Sequence, residues 1–222
     1  MLIINLEIID QNKTTELCYI MNKYKSDKGL KSNPNEYSHH NYTCIYNYLF
    51  SNIKNDNLRI FELGIGTNNI ELKSNMGING NPGASLFGWN EYFYNSHIYG
   101  ADIDKNIIFN KDRIKTFFCD QTNENIIKDM WNNIDLSENF DIIIDDGLHE
   151  YNANVCFFEN SIYKLRKGGY YIIEDILKNE LPLFNNKILE WEKKYPHLKI
   201  QLLILTDKCN KSDNNLLIFY YN

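Results

Sequence analysis

Two short apolar runs in this chain each end abruptly in a pair of carboxylates. Phe140-Asp-Ile-Ile-Ile runs into Asp145-Asp146-Gly-Leu-His149-Glu, and about one helix of sequence later Gly168-Gly-Tyr-Tyr-Ile-Ile runs into Glu174-Asp175. Acids just past a buried strand lie where open α/β sheets bind ligands, outside the carboxyl ends of the strands. If the two runs are neighbouring strands, they lie about 4.8 Å apart, and acids that close repel until one protonates or a cation neutralises them. A hard, oxygen-liganded ion such as Mg²⁺ meets that need and leaves positions open for water or substrate oxygens. An aliphatic hydroxyl is a weak nucleophile at neutral pH. A metal lowers its pKa, and an imidazole such as that of His149 can take the proton. Plainer roles stay open for each residue: Asp175 as a helix cap, Asp145 as a buried acceptor, His149 as a solvated helix-start residue.

A second set of residues suits a cofactor. The run Phe61-Glu-Leu-Gly-Ile-Gly-Thr-Asn carries Gly64 and Gly66, which permit a tight turn and close backbone approach. The dinucleotide fingerprint is incomplete, because Asn69 stands at the third glycine position and Asp102 lies well beyond the usual 20 or so residues. Glu62, just before the turn, suits a cofactor with a cationic amino group and no pyrophosphate, such as S-adenosylmethionine. Asp102 then meets the two ribose hydroxyls and Asp120 the adenine amino group. Asp145 is assigned to the same cofactor set.

These residues need a βα alternation to position them. Strands are expected at 58–63, 97–101, 114–119, 141–144 and 170–173, the last entered through a Gly168–Gly169 turn. Helices are expected at 84–94, where Leu86, Trp89 and Phe93 share a face, and at 126–134, 151–165 and 183–194. Strands 198–205 and 215–221 are separated by a short polar break that suits an antiparallel hairpin better than a crossover. The expected fold is α/β, a Rossmann-like seven-stranded and mostly parallel sheet over 56–222 with a C-terminal antiparallel strand. Residues 1–55 form a helical extension contributing to the substrate pocket, with a polar break at 25–38 containing Gly29 and Pro34.

Composition narrows the class. A chain of 222 residues is one ordinary α/β domain, and its net charge of −6 disfavours general nucleic-acid or membrane-surface binding. The five cysteines, Cys18, Cys44, Cys119, Cys156 and Cys209, are scattered and contain no CxxC pair, which fits reduced thiols. No apolar run approaches the 18 or so residues of a spanning helix. The apolar N-terminus lacks a basic region and contains acids, so it is a poor signal peptide. The expectation is a cytoplasmic protein with no nucleic-acid or membrane partner.

The combined motifs resemble the metal-dependent sugar O-methyltransferases of macrolide biosynthesis, the mycinamicin and macrocin type. The resemblance runs over Ser26-Asp-Lys-Gly29, His40-Asn-Tyr42-Thr, Phe61–Gly66, Pro82-Gly-Ala-Ser-Leu86 with Trp89, Ile98–Asp102, and Asp146-Gly-Leu-His149 with Glu174-Asp175 following 25 residues after the histidine. It implies that Asp146, Glu174 and Asp175 hold Mg²⁺, that His149 is the base, and that His40 and Tyr42 face the substrate. It also implies a class I methyltransferase fold, S-adenosylmethionine as donor, a sugar or nucleotide-sugar acceptor and a possible homo-oligomer. Asn68, in place of a third glycine, and the extra Asp145 depart from the pattern. Tyr42 and Tyr46, four apart on one helical face, can wall a carbohydrate pocket or pack as core. Rival readings are a methyltransferase of a catechol or phosphoramidate, an NAD-dependent sugar oxidoreductase or epimerase, and a non-catalytic module binding the nucleoside.

Overall fold

The computed structural model describes residues 4–29, 40–206 and 212–222. Pro34 and most of the polar break, Tyr37, Cys209 and the middle of the expected hairpin connection lie outside the described residues. The ordered elements are α1 (Glu16–Tyr24), α2 (Tyr42–Phe50), β1 (Arg59–Leu63), α3 (Ala84–Tyr92), β2 (His97–Asp102), β3 (Asn110–Lys111), β4 (Ile114–Phe118), α4 (Glu124–Trp131), β5 (Phe140–Asp145), α5 (Tyr151–Ser161), β6 (Leu165–Ile173), α6 (Leu181–Lys194), β7 (Leu198–Ile204) and β8 (Asn215–Tyr221).

The eight strands form one sheet in the order β3-β4-β2-β1-β5-β6-β8-β7. Strands β4, β2, β1, β5 and β6 are parallel, whereas β8 runs antiparallel between β6 and β7. The order reverses at β1, so the loops after β1 and β5 flank the crevice of an open α/β sheet. Seven strands match the expectation. The eighth, two-residue β3 pairs antiparallel with β4 at the edge and has too little pattern to read from sequence.

Strand alternation divides the core into two layers. Ile60, Ile98, Ile142, Ile144 and Ile172 face one side and pack with Leu17 and Met21 of α1, Tyr46 and Phe50 of α2, and Trp89 of α3. Their neighbours Phe61, Tyr99, Ile143, Tyr171 and Ile173 face the other side, against Trp131 of α4, Phe157 and Phe158 of α5, and Trp191 of α6. The N-terminal helices therefore share a core with the sheet.

Several boundaries differ from expectation, and two of the differences have a clear local cause. Strand β6 begins at Leu165, with a register shift against β5 between Phe140 and Ile142, so Gly168 and Gly169 sit inside the strand. Gly168 takes φ +82, and a Cβ on Gly169 would stand 2.7 Å from the Asp141 carbonyl oxygen, which marks a bulge. Helix α4 starts earlier than expected because Asn123 caps it, accepting from the backbone N–H groups of Asn125 and Ile126.

Candidate active site

Backbone hydrogen bonds that continue past the strands align the tips of the sheet. Gly64 N–H donates to Ala101 O (2.8 Å), Asp146 N–H to Leu63 O (2.9 Å) and Glu174 N–H to Asp145 O (2.9 Å). A cleft of about 1010 Å³ opens over these tips. Gly64, Gly66, Asp102, Asp120, Asp146, His149, Asp175 and His40 line it.

The acids and the imidazole converge. One ligand atom each from Asp146, His149 and Asp175 lies within 4.8 Å of the other two. His149 Nε2 is 3.1 Å from Asp146 Oδ1, and its Nδ1 is 3.3 Å from Ser74 Oγ and 3.6 Å from Asp175 Oδ2. Both His149 (φ 58) and Asp175 (φ 55) adopt the left-handed region that non-glycine residues rarely enter. Such conformations cluster at functional sites, held by the structure around them. The donor chemistry fits a hard divalent ion: two carboxylates beside an imidazole, with Glu174 immediately behind.

Glu174 faces inward. Its carboxylate is buried and accepts from Tyr46 OH and Lys28 Nζ. Lys28 is 1 % exposed, and its ammonium also lies 2.6 Å from Asp146 Oδ2 and 3.4 Å from Glu62 Oε1. Three carboxyl groups thus surround one ammonium. Burial opposes charge on Asp146, but Lys28 and His149 outweigh it and hold this carboxyl at about 2. Burial pushes Glu174 well above the usual carboxylate range, with Lys28 pulling against it.

The remaining expected residues divide between the cleft and its supports. The Asp102 carboxylate accepts from the N–H groups of Ile65 and Asp104, both at 2.9 Å. Asp120 accepts from the Thr122 N–H and hydroxyl. Glu62 lies beneath the cleft, not on its wall: it is fully buried and accepts from Ser85 Oγ (2.7 Å) and Trp89 Nε1. Ser85 and Trp89 are four apart on α3, so one helical face grips the glutamate. Asp145 is also held off the cleft, accepting from Gln121 Nε2 (2.7 Å) and Asn154 Nδ2 (3.1 Å), and burial pushes its carboxyl up to about 7.

Tyr42 differs most from expectation. It is fully buried, its hydroxyl donates to Asp175 Oδ1 at 2.7 Å, and it accepts from the Asp175 N–H at 3.2 Å. It fixes the acid and does not wall the cleft. His40 does line the cleft, stacked on Tyr42 at 4.6 Å with Nε2 3.5 Å from Asp175 Oδ1.

The sequence assigns no site role to Lys28, Ser74 or Gln121 individually, and Tyr46, open between pocket wall and core, is fully buried and donates to Glu174. Lys28 carried one usable signal, since buried acids at adjacent strand ends call for a cation and the Ser26-Asp-Lys-Gly29 run supplies one. Nothing in the loop around Ser74 signals its reach across the cleft to His149.

The His149 environment carries a pH consequence. Burial alone would lower the imidazole pKa, but Asp175 and Asp146 prevail and raise it to about 10. A raised pKa means that the folded chain binds this proton more tightly than the unfolded chain. The resulting stability is fully present below about pH 6.5 and is lost as pH rises through about 10. In EDTA, the Tm advantage of wild type over His149→Asn is therefore expected to shrink steadily across that window. A constant offset between the two melting curves would remove the imidazolium from this role.

A parallel core sheet reversing at β1 and closed by an antiparallel strand, with a glycine turn after β1 and acids after β2, defines a Rossmann-like class I methyltransferase fold. The resemblance carried by the motifs is borne out: the chain's homologues are sugar O-methyltransferases of the tetracenomycin, macrocin and mycinamicin kind. One is the 8-demethyl-8-α-L-rhamnosyl tetracenomycin-C 2′-O-methyltransferase of Streptomyces olivaceus, 27% identical over 155 residues, covering 70% of this chain and 38% of that protein. Another is the demethylmacrocin O-methyltransferase of Streptomyces fradiae, 31% identical over 140 residues, covering 62% of this chain and 32% of that protein. Among solved structures, the MycE methyltransferase of the mycinamycin pathway, in complex with Mg and SAH, superposes with a TM-score of 0.70 at 22% identity, covering 94% of this chain and 55% of that one. The matched region spans only 32–40% of the curated relatives' own lengths. No protein-family model matches the chain. Among the described residues, no helix is long and apolar enough to cross a membrane.

Proposed function

We propose that the chain is an S-adenosylmethionine-dependent O-methyltransferase acting on a hydroxyl of a sugar, nucleotide-linked or glycosidic, with a divalent ion and His149 as base. The observation that carries the reading is the shared cleft. The glycine turn with Asp102 and Asp120 lines one part of it, and the Asp146–His149–Asp175 cluster lines another. The rhamnosyl and olivosyl acceptors named for two relatives support the choice of acceptor.

In the proposed reaction the acceptor oxygen attacks the methyl carbon in line as the carbon–sulfur bond breaks. The products are a methyl ether and S-adenosylhomocysteine, and the hydroxyl proton passes to His149 in its neutral form, which a cation neutralising Asp146 and Asp175 would favour by offsetting the charges that raise the imidazole. Asp102 accepts hydrogen bonds from the donor's ribose, and Asp120 meets its adenine. Glu62, gripped by Ser85 and Trp89, supports the turn from below. His40, with the 25–27 segment, contributes the acceptor wall, so residues 1–55 act with the sheet. Asp146, Asp175 and Glu174 would hold a divalent ion, which would supply Lewis-acid chemistry at the acceptor hydroxyl. Alignment of the reacting groups alone contributes roughly 7–11 kcal/mol in well-oriented systems.

Incubation with labelled S-adenosylmethionine and a panel of nucleotide sugars and glycosides tests the reading. Transfer should be lost in EDTA and restored by Mg²⁺. Stabilisation by NAD but not by S-adenosylhomocysteine would reverse the conclusion in favour of an oxidoreductase. Asp146→Ala should weaken Mg²⁺ uptake at least tenfold while changing S-adenosylhomocysteine affinity much less. An unchanged metal titration would remove Asp146 from the ligand set.

A further inference from the structure

The Lys28 ammonium occupies the middle of the acidic cluster with every oxygen around it committed. Asp146 gives Oδ2 to Lys28 and Oδ1 to His149, and Glu174 gives Oε2 to Lys28 and Oε1 to the Tyr46 hydroxyl. An ion that takes Asp146 and Glu174 together has to draw oxygens away from Lys28 or sit against its positive charge.

The lysine cannot simply leave. Its carbonyl accepts from the Thr43 N–H at 3.2 Å, the preceding Asp27 carbonyl accepts from the His40 N–H at 2.8 Å, and Ser26 N–H donates back to Met21 O. The segment is pinned to the end of α1 and the start of α2, so only the side chain has freedom. Glu62, already 3.4 Å from Nζ and gripped by α3, offers the ammonium an alternative partner deeper in the core.

We propose that Lys28 is a positioning residue that competes with the divalent ion for Asp146 and Glu174, so that Lys28 sets the ion affinity of the site and ion binding shifts the ammonium toward Glu62. The inference rests on the reading of this site as metal-assisted. It also links the ion to the segment that carries His40, because both are held through the same short backbone run.

The test is calorimetric titration of Mg²⁺ alone into EDTA-stripped wild type, Lys28→Met and Lys28→Arg, with S-adenosylhomocysteine titrated into each. Lys28→Met should bind Mg²⁺ at least tenfold more tightly than wild type and show a larger rise in Tm on adding it. Lys28→Arg, which keeps the charge, should stay within about threefold of wild type. A purely structural lysine predicts the opposite direction, because a loosened site loses affinity. Equal or weaker binding by folded Lys28→Met overturns the proposal. If Lys28→Met does not fold, the ¹⁵Nζ resonance of Lys28 in labelled wild type, assigned with Lys28→Arg, must shift on Mg²⁺ addition; a resonance unmoved at saturation overturns it equally. Mg²⁺ uptake indifferent to Lys28 sinks this inference alone. Absence of uptake by both wild type and Lys28→Met sinks the metal-assisted reading with it.

Discussion

Replacing His149 with alanine is expected to lower methyl transfer by about 10²–10⁴-fold, the usual contribution of a positioned general base. That loss corresponds to about 2.7–5.5 kcal/mol of transition-state stabilisation. Affinity for S-adenosylhomocysteine should change far less, because Asp102 and the glycine turn lie on other loops of the cleft. His149 sits at φ 58, where alanine is strained, so His149→Asn serves as the companion variant: asparagine tolerates that backbone but is no base. Both variants should lose rate together. Full rate in either, at unchanged metal loading, would remove His149 as the proton acceptor and leave it the role of ligand, which its place beside Asp146 and Asp175 also permits.

The second large effect concerns Gly64 and does not depend on the chemistry. A Cβ there would stand 1.8 Å from the Asp146 carbonyl oxygen and 2.8 Å from the Gly147 Cα, at φ +82. Left-handed backbone costs a non-glycine residue about 1–2 kcal/mol, and overpacking against atoms that cannot yield adds about 1–3 kcal/mol. For a chain of this size each kcal/mol lowers Tm by about 2–4 °C, so Gly64→Ala should melt roughly 4–20 °C below wild type. Gly77→Ala is the control, since its φ is +70 but nothing lies within 4 Å of its Cβ position. Similar losses at both positions would mean that conformation alone, and not contact with the Asp146 loop, requires glycine at 64. The glycine turn thus answers to its neighbour in the sheet as well as to any bound cofactor.

Much of this fold was legible because its signals are local. Strand runs such as Ile142–Ile144 and Tyr170–Ile173, each ending in acids, identify both the sheet and the edge where chemistry gathers. Glycines at 64 and 66 locate the turn after β1. What escaped depends on distance in sequence. That Lys28 meets Glu174, 146 positions away, is decided by how α2 packs on the sheet. The hydroxyls of Tyr42 and Tyr46 reach Asp175 and Glu174 for the same reason, and the four-residue spacing alone fits a pocket wall or core packing equally well. Asp145 and Asp146 are adjacent acids of the same type, yet alternation about the strand end sends one beneath the loop and the other into the cleft. Strand β6 was read too short because its bulge places two glycines inside the ladder.

The placement of β8 sets an order on biosynthesis. This strand fills the gap between β6 and β7, and its Asn215 side chain and carbonyl bond the backbone of Ile176, just past Glu174-Asp175. While the ribosome is still translating residues 215–221, β6 presents an unpaired edge, the kind of surface that invites mispairing or chaperone capture. The loop bearing Glu174 and Asp175 gains its last backbone anchor only when that segment emerges, so a nascent chain holding all the reactive side chains upstream is expected to remain inert until then.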